Sequence, residues 1–431
     1  MHTLLLPLIM LLADPTVPAD LKGKVTGPDG LPVTQASVVV YSAAPRKGAA
    51  TMNKFEYPDC SKSTKADGDG AFTISAVDSS LNYDLLVLAD GCRPLMLRKV
   101  DPARGEIRAK LTPGPKEFDN APLRGHVVDS NGDPVVGARI EPYGCRDGQQ
   151  RWWGGTSEQC ERDTYTDAKG EFVLLTKKPD LQLDIRVWPR QAAPQSQALL
   201  STGDTVNEIT VTPGASISGR VVKDNQPLAG IVVRLSQRDR GMEHYIGDFD
   251  AITDETGKFT FKHVMPNDQY YLYATMKSLA EHGVVNMQEF ATTGDDTSTD
   301  AGDLVVENGY KLSGQLFCSD DKPIPTGMKA TLSRWNASDS IDVTVDKEGK
   351  FEFKNVPADL YEFYVRANGY HISADNESFE PANAQFLLGR VDQDIEDLRV
   401  QLDPGPDVQH NYNGNKWQTL QNSQLSGVAK P

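Results

Sequence analysis

The sequence predicts an all-β chain of four tandem β-sandwiches, and three observations carry that expectation. A short opening phrase with a central glycine occurs four times: Leu-Lys-Gly-Lys-Val at 21–25, Leu-Arg-Gly-His-Val at 123–127, Ile-Ser-Gly-Arg-Val at 217–221 and Leu-Ser-Gly-Gln-Leu at 312–316. A turn phrase, Asp-x-x-Gly-x-Phe, follows each opening and ends at Phe72, Phe172, Phe259 and Phe351. Proline and glycine stops close the units at 113–115, 213–214 and 404–406. The repeat is about 100 residues long. That exceeds a solenoid unit of roughly 20–50 residues and suits one sandwich.

The fourth copy shows how each element is read. Residues 311–317 form a first strand, and the polar, proline-bearing stretch 319–325 is a turn. Residues 328–333 alternate apolar and polar, as a half-buried strand does. Residues 341–345 and 350–354 form a hairpin across the turn 346–349, with Gly349 supplying a positive φ. Phe351 and Phe353 face one side of that strand, and Lys350, Glu352 and Lys354 face the other. Pro357 ends it, because proline donates nothing to a ladder. Residues 360–365 and 395–402 complete the set. The resulting domain plan is an export signal at 1–19, sandwiches at 20–116, 117–214, 215–310 and 311–406, and a disordered Asn/Gln/Ser-rich tail at 407–431. The joints are short and carry proline, so the expected array is semi-rigid, with each sandwich touching only its sequence neighbours.

Composition narrows the function. The net charge of −16 opposes nucleic acid and an anionic membrane surface as partners, and the acid is concentrated in the last two copies. Residues 4–12 make an apolar run of signal-peptide length, which points to an exported chain: secreted, periplasmic or on the cell surface. No later run approaches the ~20 apolar residues of a membrane span. Five cysteines fit an oxidising compartment. Cys60 and Cys160 hold the same place ten residues before a turn glycine. Cys145–Cys160 and Cys60–Cys92 are therefore the expected disulfides, and Cys318 is a buried small apolar residue.

Together the phrases resemble the carboxypeptidase regulatory-like domain. The stretch 125–138, Gly-His-Val-Val-Asp-Ser-Asn-Gly-Asp-Pro-Val-Val-Gly-Ala, is similar to its opening, and residues 23–36 and 219–230 are looser copies. The later Asp-x-x-Gly-x-Phe followed by an apolar residue, Pro and Tyr also matches, at Pro266 to Tyr270 and Pro357 to Tyr361. The resemblance spans nearly all of 20–405. It implies a seven-stranded immunoglobulin/prealbumin-like sandwich of a carbohydrate-binding-like group, and it says little about function.

The residues oppose catalysis. A zinc carboxypeptidase needs His-x-x-Glu and a distant His to leave one open metal position. None of the seven histidines has Glu three residues on. No Gly-x-Ser-x-Gly elbow or phosphate loop occurs. No cofactor or metal is expected: the Asp-rich turns at 67–70 and 129–133 and the cluster Asp295, Asp296, Asp300 and Asp303 read as side chains bonded to nearby backbone, not as calcium sites. The unusual segment is 145–160, an insertion with Gln149, Arg151, Trp152 and Trp153. Such residues stack on a sugar or grip a partner, or pack on a neighbouring sandwich. The favoured reading is a non-enzymatic structural, adhesive or protein-binding chain. The alternatives are a carbohydrate-binding protein using Trp152 and Trp153, and the accessory chain of a peptidase. The partner is a glycan or a surface protein, and the oligomeric state is open. Purified protein is expected to hydrolyse no C-terminal residue from test peptides, and chelators are expected to leave its Tm unchanged. Stoichiometric zinc with hydrolysis overturns this.

Overall fold

A computed structural model describes residues 18–114, 122–153, 159–372 and 379–405, apart from positions 49, 51, 149, 242, 368 and 384–385. The expected signal, all but its last two residues, and the expected tail lie outside the described residues. The chain is all-β and built of repeated two-sheet units. Among the described residues the strands form eight separate sheets, and each repeat contributes two.

The opening strand organises the first sheet of every pair. Pro18–Thr26 runs antiparallel to Ala71–Asp78 and parallel to Ile107–Lys110. Leu123–Val128 does the same with Glu171–Leu174 and Val206–Thr210. Ala215–Lys223 pairs with Lys258–Val264 and Ser298–Val305, and Tyr310–Cys318 with Lys350–Val356 and Ile395–Pro404. In all four registers the opening glycine sits opposite the turn-phrase phenylalanine: Gly23 with Phe72, Gly125 with Phe172, Gly219 with Phe259, Gly314 with Phe351. The reason is steric. A Cβ on Gly125 would lie 2.4 Å from the Phe172 ring, and one on Gly219 would lie 2.5 Å from the Phe259 ring. The ring therefore lies over the bare backbone of the neighbouring strand, and each phenylalanine is buried, a burial worth about 2–3 kcal/mol.

The turn between the two phrases is equally regular. The leading carboxylate, Asp67, Asp167, Asp254 or Asp346, accepts from two backbone amides of its own turn at 2.8–3.0 Å. The turn glycine then presents its carbonyl to the opening strand: Val25, Val127, Val221 and Leu316 donate to Gly70, Gly170, Gly257 and Gly349, each at 2.8 Å. The tyrosines downstream of three turns are fully buried and hook back on the chain. Tyr83 donates to the Asp78 carbonyl at 2.8 Å, Tyr270 to Met265 at 3.5 Å and Tyr361 to Pro357 at 2.9 Å.

The second sheet closes each core. In the first repeat Ser37–Pro45 is flanked by Ser63–Lys65 and Leu81–Leu88, with Leu95–Val100 outermost. Val38, Val40, Leu85 and Val87 face Leu21, Val25, Phe72 and Ile74 in one cluster. Here three and four strands make the expected seven. The later repeats carry extra edge strands, such as Gln150–Trp153 and Glu380–Asn383. The buried strand Phe386–Val391 belongs to no repeated phrase, and sequence reading passed over it.

The described residues divide into two compact units: those up to Ser278 with Met287–Val306, and Leu279–Asn286 with those from Glu307 onward. The segment 279–286 groups with the residues from Glu307 onward. In that unit Glu307 and Val284 exchange two backbone hydrogen bonds at 2.9 Å, and the Asn355 side chain donates to the Ala280 carbonyl at 2.7 Å.

A Gly125→Ala variant is expected to lose about 1–3 kcal/mol of stability through overpacking against Phe172. Gly132 has a positive φ of 85° but nothing within 4 Å of its added Cβ. Gly132→Ala is expected to show only the smaller backbone penalty, about 1 kcal/mol. Urea midpoints of the two variants check the ranking.

Candidate functional site

Part of the segment 145–160 is strand. Residues Arg139–Asp147 and Gln150–Trp153 are antiparallel strands of one hairpin, pairing Cys145 with Trp152 and Gly144 with Trp153. Gln150–Trp153 is the edge strand of its sheet. Arg151 is exposed there. Gln149 and the side chains of Trp152 and Trp153 lie outside the described residues. At the hairpin tip a cavity of about 370 Å³ is lined by Arg146, Gly148, Asp180, Gln182, Ser201 and Thr202, among others. Sequence reading had no means to find it, because its walls come from three separated stretches.

Arg146, next to Cys145, was not singled out and is the best-anchored side chain of the hairpin. It is buried, donates to Asp184 at 3.0 Å and reaches Glu243 of the third repeat at 2.7 Å. The hairpin therefore does meet a neighbouring sandwich, through Arg146. Arg186 strengthens the same junction. Its Nε donates to the Tyr245 carbonyl at 2.8 Å, and its guanidinium lies 3.3 Å from the Tyr143 ring centroid and 5.3 Å from that of Tyr245. Burial pulls its pKa below the usual arginine value. The Ser196 hydroxyl donates to the Glu243 carbonyl at 2.6 Å.

A matching junction joins the first and second repeats. Tyr41, Leu86 and Leu88 of one and Tyr165 of the other form an apolar cluster with Phe55 and Met96 at its border. The rings of Tyr41 and Tyr165 meet edge-on at 5.5 Å. Arg190 lies over Tyr41 at 5.7 Å and donates to the Cys60 carbonyl, while Arg93 pairs with Glu161. Lys262 of the third repeat also reaches Glu56 of the first at 3.6 Å. The expectation that each sandwich touches only its sequence neighbours therefore fails within the first unit. Short joints bring the third copy back within reach of the first, and pattern reading carries no information on that return.

None of the five cysteines is disulfide-bonded in the structure, so neither expected bridge is closed in it. The Cys60 thiol donates to the Lys54 carbonyl at 3.4 Å, and burial, with Asp59 beside it, pushes it up to about 11 against the opposing effect of Arg190. Cys92 packs against the same core cluster, and burial raises its thiol as well. Cys318 is buried, as expected.

The acidic candidates for calcium are occupied by structural work. Asp129 accepts from the amides of Asn131 and Asp133 at 2.8 and 3.0 Å, and these bonds hold its carboxyl below the usual range. Asp295 accepts from the Gly214 amide at 2.9 Å, Asp300 from the Gly302 amide at 2.9 Å, and Asp303 pairs with Arg220 at 2.8 Å. Among the described residues no group of three or more His, Cys, Asp or Glu is arranged to hold a metal, and no helix is long and apolar enough to cross a membrane.

No family model matches the chain. Among curated proteins it is similar to mouse BOS complex subunit NOMO1, 31% identical over 222 residues, covering 49% of this chain and 16% of that protein. Human BOS complex subunit NOMO3 matches over 124 residues at 32% identity, 28% of this chain and 9% of that protein. The chain thus spans only a small part of these relatives. Among solved structures, the Streptococcus agalactiae minor pilin GBS52 aligns at 12% identity over 46% of this chain and 100% of that one, with a TM-score of 0.24. The Bacillus cereus major pilin BcpA aligns at 8% identity over 90% of this chain and 99% of that one, with a TM-score of 0.18. Likenesses at this level carry no functional weight.

Arg146→Ala strands Asp184, which is 1% exposed, without its cation. It is expected to cost about 3–5 kcal/mol. Lys262→Ala removes a pair between half-exposed groups and is expected to cost under about 1 kcal/mol. Urea unfolding of the two variants measures the difference.

Proposed function

We propose that the chain is a non-enzymatic, exported scaffold that binds protein partners, the sandwiches of its first unit presenting their surfaces in fixed relation to one another. One observation carries this reading. In the first unit the buried Arg146 and Arg186 and the half-buried Arg190 fasten one sandwich to the next. That arrangement suits a framework, since interfaces between domains of one chain otherwise leave relative motion as the default. The curated relatives are named as complex subunits, which supports a protein partner. Export rests on the apolar run at 4–12 and the cysteine usage.

Cross-linking mass spectrometry of the native envelope or lumenal fraction tests the proposal. The chain is expected in an assembly of fixed stoichiometry, with cross-links from its sandwich surfaces. Recovery as a lone chain at its native concentration sinks the reading.

The glycan reading is kept on one observation: the polar cavity at the tip of the hairpin that carries Arg151. If it holds, Trp152→Ala and Gln182→Ala each weaken binding on a glycan array about tenfold or more, on the order of 1–3 kcal/mol. Wild-type protein that binds no glycan removes it.

A further inference from the structure

We propose that the outward face of the second sheet of the fourth repeat is a self-association surface, on which a second copy of the chain docks face to face. Such docking needs neither export nor a foreign partner, and every residue involved belongs to the second compact unit.

The central strand of that sheet sets the face. Residues Asp359–Val365, Asp-Leu-Tyr-Glu-Phe-Tyr-Val, alternate between the two sides of the sheet, yet both sides are largely apolar. Tyr361 and Phe363 point inward and are fully buried, as are Leu387 and Val391 of the neighbouring strand Phe386–Val391. Outward stand Leu360, Glu362 and Tyr364, opposite Arg390, Leu388 and Phe386 in turn. Arg390 is exposed and the other five are partly exposed. Trp335 extends the apolar area, its ring 6.5 Å from that of Phe386. The solvated face of a sandwich sheet is ordinarily polar, and a contiguous apolar patch rimmed by charge marks an interaction site.

Two other repeats show what this face does when it is covered. On the corresponding strand of the first repeat, outward Leu86 is buried with Tyr165 of the second. On that of the second, outward Arg186 is buried against Tyr245 of the third. Tyr364 holds the same place and is still partly exposed. The carboxylate two residues earlier repeats the contrast. Asp84 accepts from the Ser42 hydroxyl at 3.0 Å and the Lys99 amide at 2.9 Å, and Asp184 accepts from Arg146 at 3.0 Å. Among the described residues the Glu362 carboxylate accepts no hydrogen bond and forms no ion pair, and burial pushes it above the usual carboxylate range.

Charge complementarity selects a second copy as the occupant. An apolar surface laid over Glu362 would bury a carboxylate without a cation, which is strongly unfavourable, so the occupant must bring a base to that point. The face carries one itself. The register puts Leu360, Glu362, Leu388 and Arg390 at the corners of a square on two adjacent strands, with acid and base on one diagonal and the leucines on the other. Among the described residues Arg390 forms no ion pair either. A two-fold axis brings residue i of one copy onto residue j of the other and j onto i. Laid along the leucine diagonal between two facing copies, it sets Glu362 of each against Arg390 of the other and each leucine against its own counterpart. The square is thus self-complementary in charge and apolar at its centre.

Sedimentation-velocity ultracentrifugation of the full chain, in reducing buffer and across a wide range of concentration, tests this. Wild type is expected to pass reversibly from monomer to dimer. The two-fold makes each pair occur twice, so Arg390→Glu and Glu362→Arg are each expected to raise the dimer Kd at least about tenfold. The double reversal restores both pairs with their ends exchanged and is expected to return to within about threefold of wild type. Circular dichroism and urea midpoints establish that each variant is folded. Arg390 is exposed, so its reversal leaves the core untouched. Should Glu362→Arg not fold, Glu362→Gln in the Arg390→Glu background is expected to recover part of the lost affinity, because it removes the like charge. Wild type that stays monomeric at every concentration overturns the proposal. So does a dimer that neither reversal weakens, which lies on another surface. Weakening by both single reversals without recovery in the double overturns it too, since the contact is then head-to-tail rather than two-fold.

Discussion

The fold depends on a ring lying across a bare backbone. At each repeat a phenylalanine from the strand after the turn crosses the opening strand at its glycine, where any Cβ would collide with the ring. The contact fixes three things together. It sets the antiparallel register of two strands far apart in sequence. It buries an aromatic side chain at the centre of the sandwich. It also admits the closing strand on the other side, since a Cβ on Gly23 would meet the Ile107 carbonyl at 2.4 Å and one on Gly314 the Leu398 carbonyl at 2.1 Å. A one-residue slip would turn every inward side chain outward, so the glycine and the phenylalanine together specify the alignment of the whole sheet.

The turn preceding that phenylalanine delivers the ring at the right place. Its aspartate satisfies two amides that would otherwise face solvent, and its glycine turns a carbonyl onto the opening strand. Aspartates that would suggest calcium by spacing alone are thus part of the folding code of the repeat, and their oxygens are committed to backbone.

Between the sandwiches of the first unit, arginines add directional contacts to the apolar cluster of Tyr41, Leu86, Leu88 and Tyr165. Arg186 and Arg190 combine cation–π contact with hydrogen bonds to backbone carbonyls, and Arg146 spans two carboxylates. A planar guanidinium with five donors suits such junctions, because it bonds in several directions while its face covers an aromatic ring. These contacts are directional, so they set orientation as well as adhesion. That property links the architecture to the proposed scaffold role, and the hairpin at 145–153 is the part of the framework that carries exposed polar groups beside a cavity.

The sequence alone determined the all-β class, the repeat and most of its strands, because turn chemistry and alternation are local and each is written in contiguous residues. Phe351 and Phe353 inward with Lys350 and Glu352 outward needed nothing but a period of two. It also showed that 145–160 is unlike the rest. Tertiary structure alone decided that residues 150–153 of it form an edge strand against 144–147, because pairing Trp152 with Cys145 depends on how the chain folds back. It alone showed that Arg146 anchors the segment and that Lys262 meets Glu56. Each of these joins residues that local pattern treats as unrelated, and their meeting is set by the packing of whole sandwiches, which no single stretch of sequence encodes.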